Sequence, residues 1–404
     1  MNNCLKKRWT ILAVGIFTML FAGIIYAWSI LKTPFAEEFG FLPSVLSLNF
    51  TLTMSFFCLG GFLSSQLVRR IGTRLTIIIA GALAGLGFIL SPTVGTVGPL
   101  ALYVTYAFMS GLGIGMAYIV IISTVNAHFP DKKGLSSGAL MMGFGASTLI
   151  LGNIADSLFR SGFGFKNTYI AIGIALIAVL LPSAFVIKRP AADASFPTVG
   201  KKAAVREEYF EARNYKPSEM IRRFTFWRAF VALVCLTAVG SSVISFARDL
   251  ALSLDASAAL ATSLVGVLAI CNGLGRIITG AVFDTMGRKF TMIAASILTV
   301  AAAAITLLAV SISSLPLLIV GLCLTGMSYG TSPTISSAFT LSFYGQKHFA
   351  ANLSISNFNL MAASFIATAC TALLTSSGGY VAPFVLLLSL SAVALALNFS
   401  IKKP

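Results

Sequence analysis

The sequence predicts an all-α membrane protein with twelve transmembrane helices in two six-helix, pseudo-symmetric halves. Three observations carry that expectation. The 404 residues are 57% hydrophobic and only 10% charged, too little charge to cover a soluble surface. Apolar runs of about 20 residues recur along the whole chain, each long enough to cross a bilayer as a helix. A short basic turn after the second run reappears after the eighth.

The twelve runs fall near 10–31, 44–68, 75–92, 99–125, 135–158, 168–187, 226–247, 258–282, 291–312, 315–337, 351–375 and 380–400. The first is long and lacks a small-residue cleavage site, so it is expected to be a span and not a removable signal. The longest polar stretch, 188–225, separates an N-terminal half (1–187) from a C-terminal half (226–404). It opens with Pro-bearing, polar sequence that buries little apolar surface. Its later part, REEYFEARNYKPSEMIRR, has the pattern of a short amphipathic helix at a membrane surface.

A net charge of +16 invites a nucleic-acid reading, but the distribution excludes it. Basic residues crowd alternate connections, with Arg69, Arg70, Arg74, Lys132, Lys133, Arg288 and Lys289 among them. The other connections carry only Lys32, Arg160, Lys166 and Arg248. This is the positive-inside asymmetry, and it predicts both termini in the cytoplasm of a multi-pass protein of a bacterial cytoplasmic membrane. The basic face meets anionic lipid. Of six cysteines, none has metal-ligand spacing and no pair shares an external loop, so free thiols acting as small apolar residues are expected. No cofactor is implied, and a monomer is expected to suffice.

One ionisable residue stands near the middle of an apolar run: Arg276, in LVGVLAICNGLGRIITGAVF. A guanidinium there costs about 2.5–3.5 kcal/mol to insert and tends to face a cavity or an anion. It cannot escape by losing its proton. None of the 12 acidic residues lies mid-span, so an anionic substrate is the simplest partner; a structural Arg satisfied by carbonyls or water is the alternative. Asn272 stands one turn earlier on the same helical face. It is placed to orient the Arg or bond a carboxylate, or else to pack as an interhelical amide.

The basic turn reads LVRRIGTRLT after the second run and VFDTMGRKFT after the eighth, at an offset of 215 residues. Duplicated halves are a transporter architecture. VFDTMGRK resembles the loop signature of the major facilitator superfamily, and LVRRIGTR resembles its weaker counterpart. Arg69 departs from the family's usual Asp, which leaves Asp284, with Arg288, as the expected charged latch at the cytoplasmic face. YAWSILKTPFAEEFG, GLGIGMAYIVIISTVNAHFPDKKGLSSG and NGLGR followed by FDTMGR are similar to the oxalate/formate antiporter and monocarboxylate transporter branch, over essentially the whole chain.

That resemblance implies that Arg276 binds a substrate carboxylate. It also implies a proton-linked Asp at the position where this chain has Asn272. Oxalate carriers of the branch place a Lys mid-way along span eleven. Here that position falls at or near Leu360, and Asn357 and Asn359 supply dipoles without charge. One fixed cation suits a monoanion, so formate, lactate or pyruvate ranks above oxalate.

Tyr118, in GIGMAYIV, matches a substrate-contacting aromatic of related carriers; Tyr329 and Tyr26 are further cavity candidates, packed tyrosines being the alternative in each case. Trp28 has the look of an external interface anchor. Arg248 and Asp249, in SFARDL, suit either an external gate or a solvated pair. GLGIGMA lacks a preceding strand and a phosphate Lys, so its glycines are expected to serve close helix packing. His128 and His348 fall in or beside loops and are not convincing proton relays. Coupling stays open between exchange of carboxylates and co-transport with a proton. A membrane enzyme would need a catalytic set that the spans lack. A transporter-fold sensor or scaffold that binds the anion without moving it would carry a larger output domain.

Overall fold

The computed structural model describes residues 2–96, 98–190 and 214–401. Among these every regular element is helical. Eleven helices are long and apolar enough to cross a membrane: α1 (Lys7–Leu31), α2 (Pro43–Val94), α3 (Pro99–Asn126), α4 (Leu135–Arg160), α5 (Gly164–Val186), α6 (Phe224–Leu252), α7 (Ser263–Met286), α8 (Arg288–Ser311), α9 (Leu315–Tyr344), α10 (Phe349–Ser377) and α11 (Val381–Ser400). α2 is two crossings in series. It is 52 residues long and breaks at Gly72, where φ is 80° and ψ 169°. With that break the described residues hold twelve crossing segments. Of the 188–225 stretch, residues 191–213 lie outside the described residues, and with them the first part of the expected amphipathic helix. The described part holds one turn, Pro217–Met220, whose Glu219 carboxylate accepts the Lys216 N–H at 2.8 Å.

The chain divides into two compact units, Met1–Phe210 with Phe349–Ile355, and Glu211–His348 with Ser356–Pro404. The division passes through α10, whose helical assignment is interrupted at Asn357. No sequence signal marked that interruption, because Asn is unremarkable in a polar-flanked apolar run.

The repeat seen in the two loops extends into the packing. Gly287 has φ 82° and ψ 173°, nearly the conformation of Gly72, in a region that L side chains rarely occupy. Thr76 Oγ1 donates to the Gly72 carbonyl at 2.7 Å, and Thr291 Oγ1 to the Gly287 carbonyl at 2.7 Å. Gly60 abuts the Leu112 carbonyl, and Gly275, 215 residues later, abuts the Met327 carbonyl. Gly111 meets the Thr53 carbonyl as Gly326 meets that of Leu268, and Gly115 meets that of Phe57 as Gly330 meets that of Asn272. The glycines of GLGIGMA therefore let α3 approach the first half of α2 at backbone contact. α9 approaches α7 in the same way. Such small-residue seams are how helices associate where lipid offers no hydrophobic drive.

Each unit has its own interior. The first is rich in aromatic rings, with Phe35, Phe88, Tyr106 and Tyr169 fully buried. The second packs aliphatic residues such as Leu264, Leu268, Leu318 and Leu322 with Phe384. Trp28 corrects the expectation of an exposed interface anchor. It is 5% exposed, donates from Nε1 to the Leu46 carbonyl at 3.0 Å, and packs 4.6 Å from Tyr106. Sequence alone could not tell a buried indole with a carbonyl partner from one at a headgroup boundary.

Candidate functional site

In the second unit the site is built on α7 and α9. α7 runs unbroken through Asn272, Arg276 and Asp284. Residues four apart stack on one face, and the Arg276 Nε donates to Asn272 Oδ1 at 3.1 Å. Arg276 is 1% exposed and Asn272 4%, so a full positive charge is held away from solvent. The amide grips one edge of the planar guanidinium and sets its orientation. The two terminal nitrogens carry the remaining four N–H donors in the fork that matches a carboxylate.

α9 closes against this face through Gly330, at the Asn272 carbonyl, while Thr334 Oγ1 approaches the Arg276 carbonyl at 3.5 Å. Tyr329, next to Gly330, is 2% exposed and lies over Gly240 of α6. Pro333 sits inside α9 and removes one N–H from its ladder. Sequence reasoning missed the hydroxyls of this helix. Ser328, Thr331, Ser332, Thr334, Ser336 and Thr340 are all buried. Several reach neighbouring spans: Ser332 to Thr237, Ser328 to Thr299 and Ser336 to Asn357. The run YGTSPTISSAFT was the available signal. Asn359 is 2% exposed near the start of the Phe358–Ser377 helix, and Leu360 is 4% exposed beside it.

In the first unit, Tyr118 and Tyr26 come together on one ring. Phe144 lies 5.1 Å from Tyr118 and 5.2 Å from Tyr26, both edge-on, and Phe57 adds a second ring contact to Tyr118 at 5.1 Å. Both tyrosines are buried, and Tyr26 lies in a 3-10 stretch, Gly23–Ala27.

The charged residues singled out at helix ends are placed more openly. Asp284 and Arg288 are half-buried on either side of Gly287, and the Arg288 guanidinium lies 4.5 Å over the Phe343 ring. Arg248 and Asp249 are exposed near the end of α6. Burial, with the Asp249 charge adding, pushes the Tyr380 phenol up to about 12.

A second charged constellation lies at the start of α1. Arg8, at the start of α1, is 6% exposed and pairs with Asp131 at 2.8 Å, its guanidinium 4.9 Å over Phe129. His128, beside it, has Nε2 2.8 Å from the Lys188 carbonyl. Burial holds His128 below the usual histidine range and the Lys7 charge adds to this, while the Lys188 bond opposes it. His128 thus staples two loops together through that contact.

A family model for the Major Facilitator Superfamily matches residues 11–247 and 229–404. The oxalate:formate antiporter of Oxalobacter formigenes is 27% identical over 293 residues, covering 72% of this chain and 67% of that protein. Monocarboxylate transporter 12 of Mus musculus is 25% identical, covering 88% of this chain and 76% of its own. Among solved structures, the proton:xylose symporter XylE superposes with a TM-score of 0.75 at 12% identity, over 98% of this chain and 96% of its own. The Escherichia coli fucose:proton symporter FucP gives 0.70 at 15% identity, over 98% and 99%. At such identities the structural likeness is one of fold. Family match and helical architecture agree over nearly the whole chain, which belongs to the Major Facilitator Superfamily and is a multi-pass membrane transporter.

Proposed function

We propose that the protein moves a small monocarboxylate across the membrane by alternating access, with Arg276 as the group that takes the carboxylate. The observation that carries this reading is the buried Arg276–Asn272 pair: a permanent cation, oriented by a neutral amide, in the middle of a crossing helix. A carboxylate bonded to the guanidinium fork neutralises it, which a neutral or cationic substrate cannot do. Similarity to an oxalate:formate antiporter and to monocarboxylate transporters supports the substrate class. The charge count supports a monoanion, because Leu360 supplies no second cation. Tyr329 and Asn359, in the same unit as Arg276, are proposed to complete its polar lining, and Tyr118 and Tyr26 are proposed as the substrate-contacting tyrosines of the first unit. Asp284 with Arg288, and Arg248 with Asp249, are proposed to act at the two ends. The basic loops place both termini in the cytoplasm on this reading.

Two couplings fit: exchange of one carboxylate for another, or co-transport with a proton carried by the substrate or a transient water. The buried guanidinium favours exchange, since each crossing is easier with the charge neutralised. Reconstituted protein should take up labelled formate, lactate or pyruvate in preference to oxalate, and internal carboxylate should accelerate entry. Preference for oxalate would favour the dicarboxylate antiporter instead. Saturable binding of a carboxylate with no flux under any gradient would favour a sensor.

A further inference from the structure

The seam between α7 and α9 carries a feature that the transport reading does not use. Cys271 of α7 and Cys323 of α9 lie on its two sides, within interaction range of each other. Both are partly exposed. Their neighbours along the outer face, Ile270, Leu274 and Val320, are 45–48% exposed, as expected of side chains turned to lipid. The helices are close here: a Cβ on Gly326 would stand 2.9 Å from the Cys271 Cβ. The internal repeat gives an independent view of the same juxtaposition. Counting 215 residues back from Cys271 and Cys323 gives Phe56 and Phe108, which form an edge-on ring pair with centroids 5.2 Å apart. These two positions are therefore contact partners in both halves, aromatic in the first and thiol in the second. Sequence spacing concealed the pair, because the partners lie on different helices.

We propose that Cys271 and Cys323 form a bidentate dithiol site, open to the lipid, that takes a trivalent arsenical. Two donors are too few for zinc, which wants four, and among the described residues no cluster of three or more His, Cys, Asp or Glu stands ready to hold a metal. Arsenic(III) needs only two. A hydrated aryl arsenic(III), with two As–OH groups, condenses with the two thiols. Two As–S bonds form, two S–H and two As–O bonds break, and two waters leave. No electron is transferred and no charge is deposited in hydrocarbon, where a charged adduct would be costly. Cys271 immediately precedes Asn272, which holds Arg276. The bridge therefore ties α7 to α9 beside the anion site and slows transport.

The test uses the full-length protein in proteoliposomes, treated with phenylarsine oxide and then with a membrane-permeant maleimide, the labelled peptides being read by mass spectrometry. Phenylarsine oxide is expected to protect Cys271 and Cys323 together. Protection should survive excess monothiol and be reversed by a dithiol. In Cys271→Ser, Cys323 should lose its protection, and in Cys323→Ser, Cys271 should lose its own. Exchange by the unsubstituted protein should fall on treatment, and exchange by either Ser variant should not. Cys323 protected equally in Cys271→Ser, or protection that monothiol reverses, would overturn the chelate. Full protection with undiminished exchange would overturn the link to Arg276. Because protection is read without transport, its outcome is independent of the substrate assignment.

Discussion

A guanidinium in hydrocarbon cannot shed its charge, so everything around Arg276 has to be judged by how it treats a permanent cation. Asn272 orients it without neutralising it, and that neutrality is the basis of the first prediction. Asn272→Asp places a carboxylate within reach of the same Nε, where it competes with the substrate. The apparent Kd for a monocarboxylate should rise about tenfold or more, the effect of ~1.5 kcal/mol or more of competing charge coupling. Equilibrium binding to the purified variant measures it, and unchanged affinity would remove the guanidinium from the site. Leu360→Lys asks the complementary question. A second cation should shift the ratio of dicarboxylate to monocarboxylate affinity toward the dicarboxylate, even where total activity falls. Arg276 was legible from sequence because a charge amid twenty apolar residues has few explanations. The hydroxyls of α9 were not, since a buried Ser or Thr commonly bonds the carbonyl one turn back and leaves no trace in composition.

At the scale of helices, the seams are governed by backbone approach. Gly330 has the Asn272 carbonyl against the place where a Cβ would stand, with the Arg276 backbone nitrogen 3.0 Å away. Gly330→Ala must push α9 off α7, costing about 1–3 kcal/mol of overpacking and disturbing the Arg276 side chain's register. Thermal unfolding in detergent should show a lower Tm, and substrate should protect the variant less than it protects the unsubstituted protein. The Arg8–Asp131 pair makes a different demand. Asp131→Asn leaves a buried guanidinium without its counter-charge, a loss of roughly 3 kcal/mol for a broken buried pair. Removing both charges together should cost less than removing Asp131 alone, and a double-mutant cycle of unfolding midpoints checks this. Sequence displayed the 215-residue repeat in its loops because Gly72 and Gly287 are bound to glycine by positive φ. The Arg8–Asp131 contact joins residues too far apart in the chain for any local pattern to show.

For the molecule as a whole, the composition, the spacing of apolar runs and the repeated loop were enough to reach the fold, because a bilayer admits few ways to satisfy a backbone. The interruption at Asn357 and the buried Trp28 were beyond that evidence, since both depend on which faces meet. The transport cycle follows from the same electrostatics as the site. A loaded carrier moves Arg276 through the crossing as a neutral pair with its substrate, which lowers the electrostatic cost of reorientation. Exchange should therefore outrun net uptake. The most direct measurement compares entry of a labelled monocarboxylate into vesicles with and without internal carboxylate, at zero membrane potential, for the unsubstituted protein, Arg276→Lys and Arg276→Ala. Preloading should accelerate entry by the unsubstituted protein. Arg276→Lys, lacking the planar fork, should lose most of that flux, and Arg276→Ala, folded and correctly inserted, should lose all of it. Near-normal exchange by Arg276→Ala, or equal rates with and without internal carboxylate in the unsubstituted protein, would contradict the account.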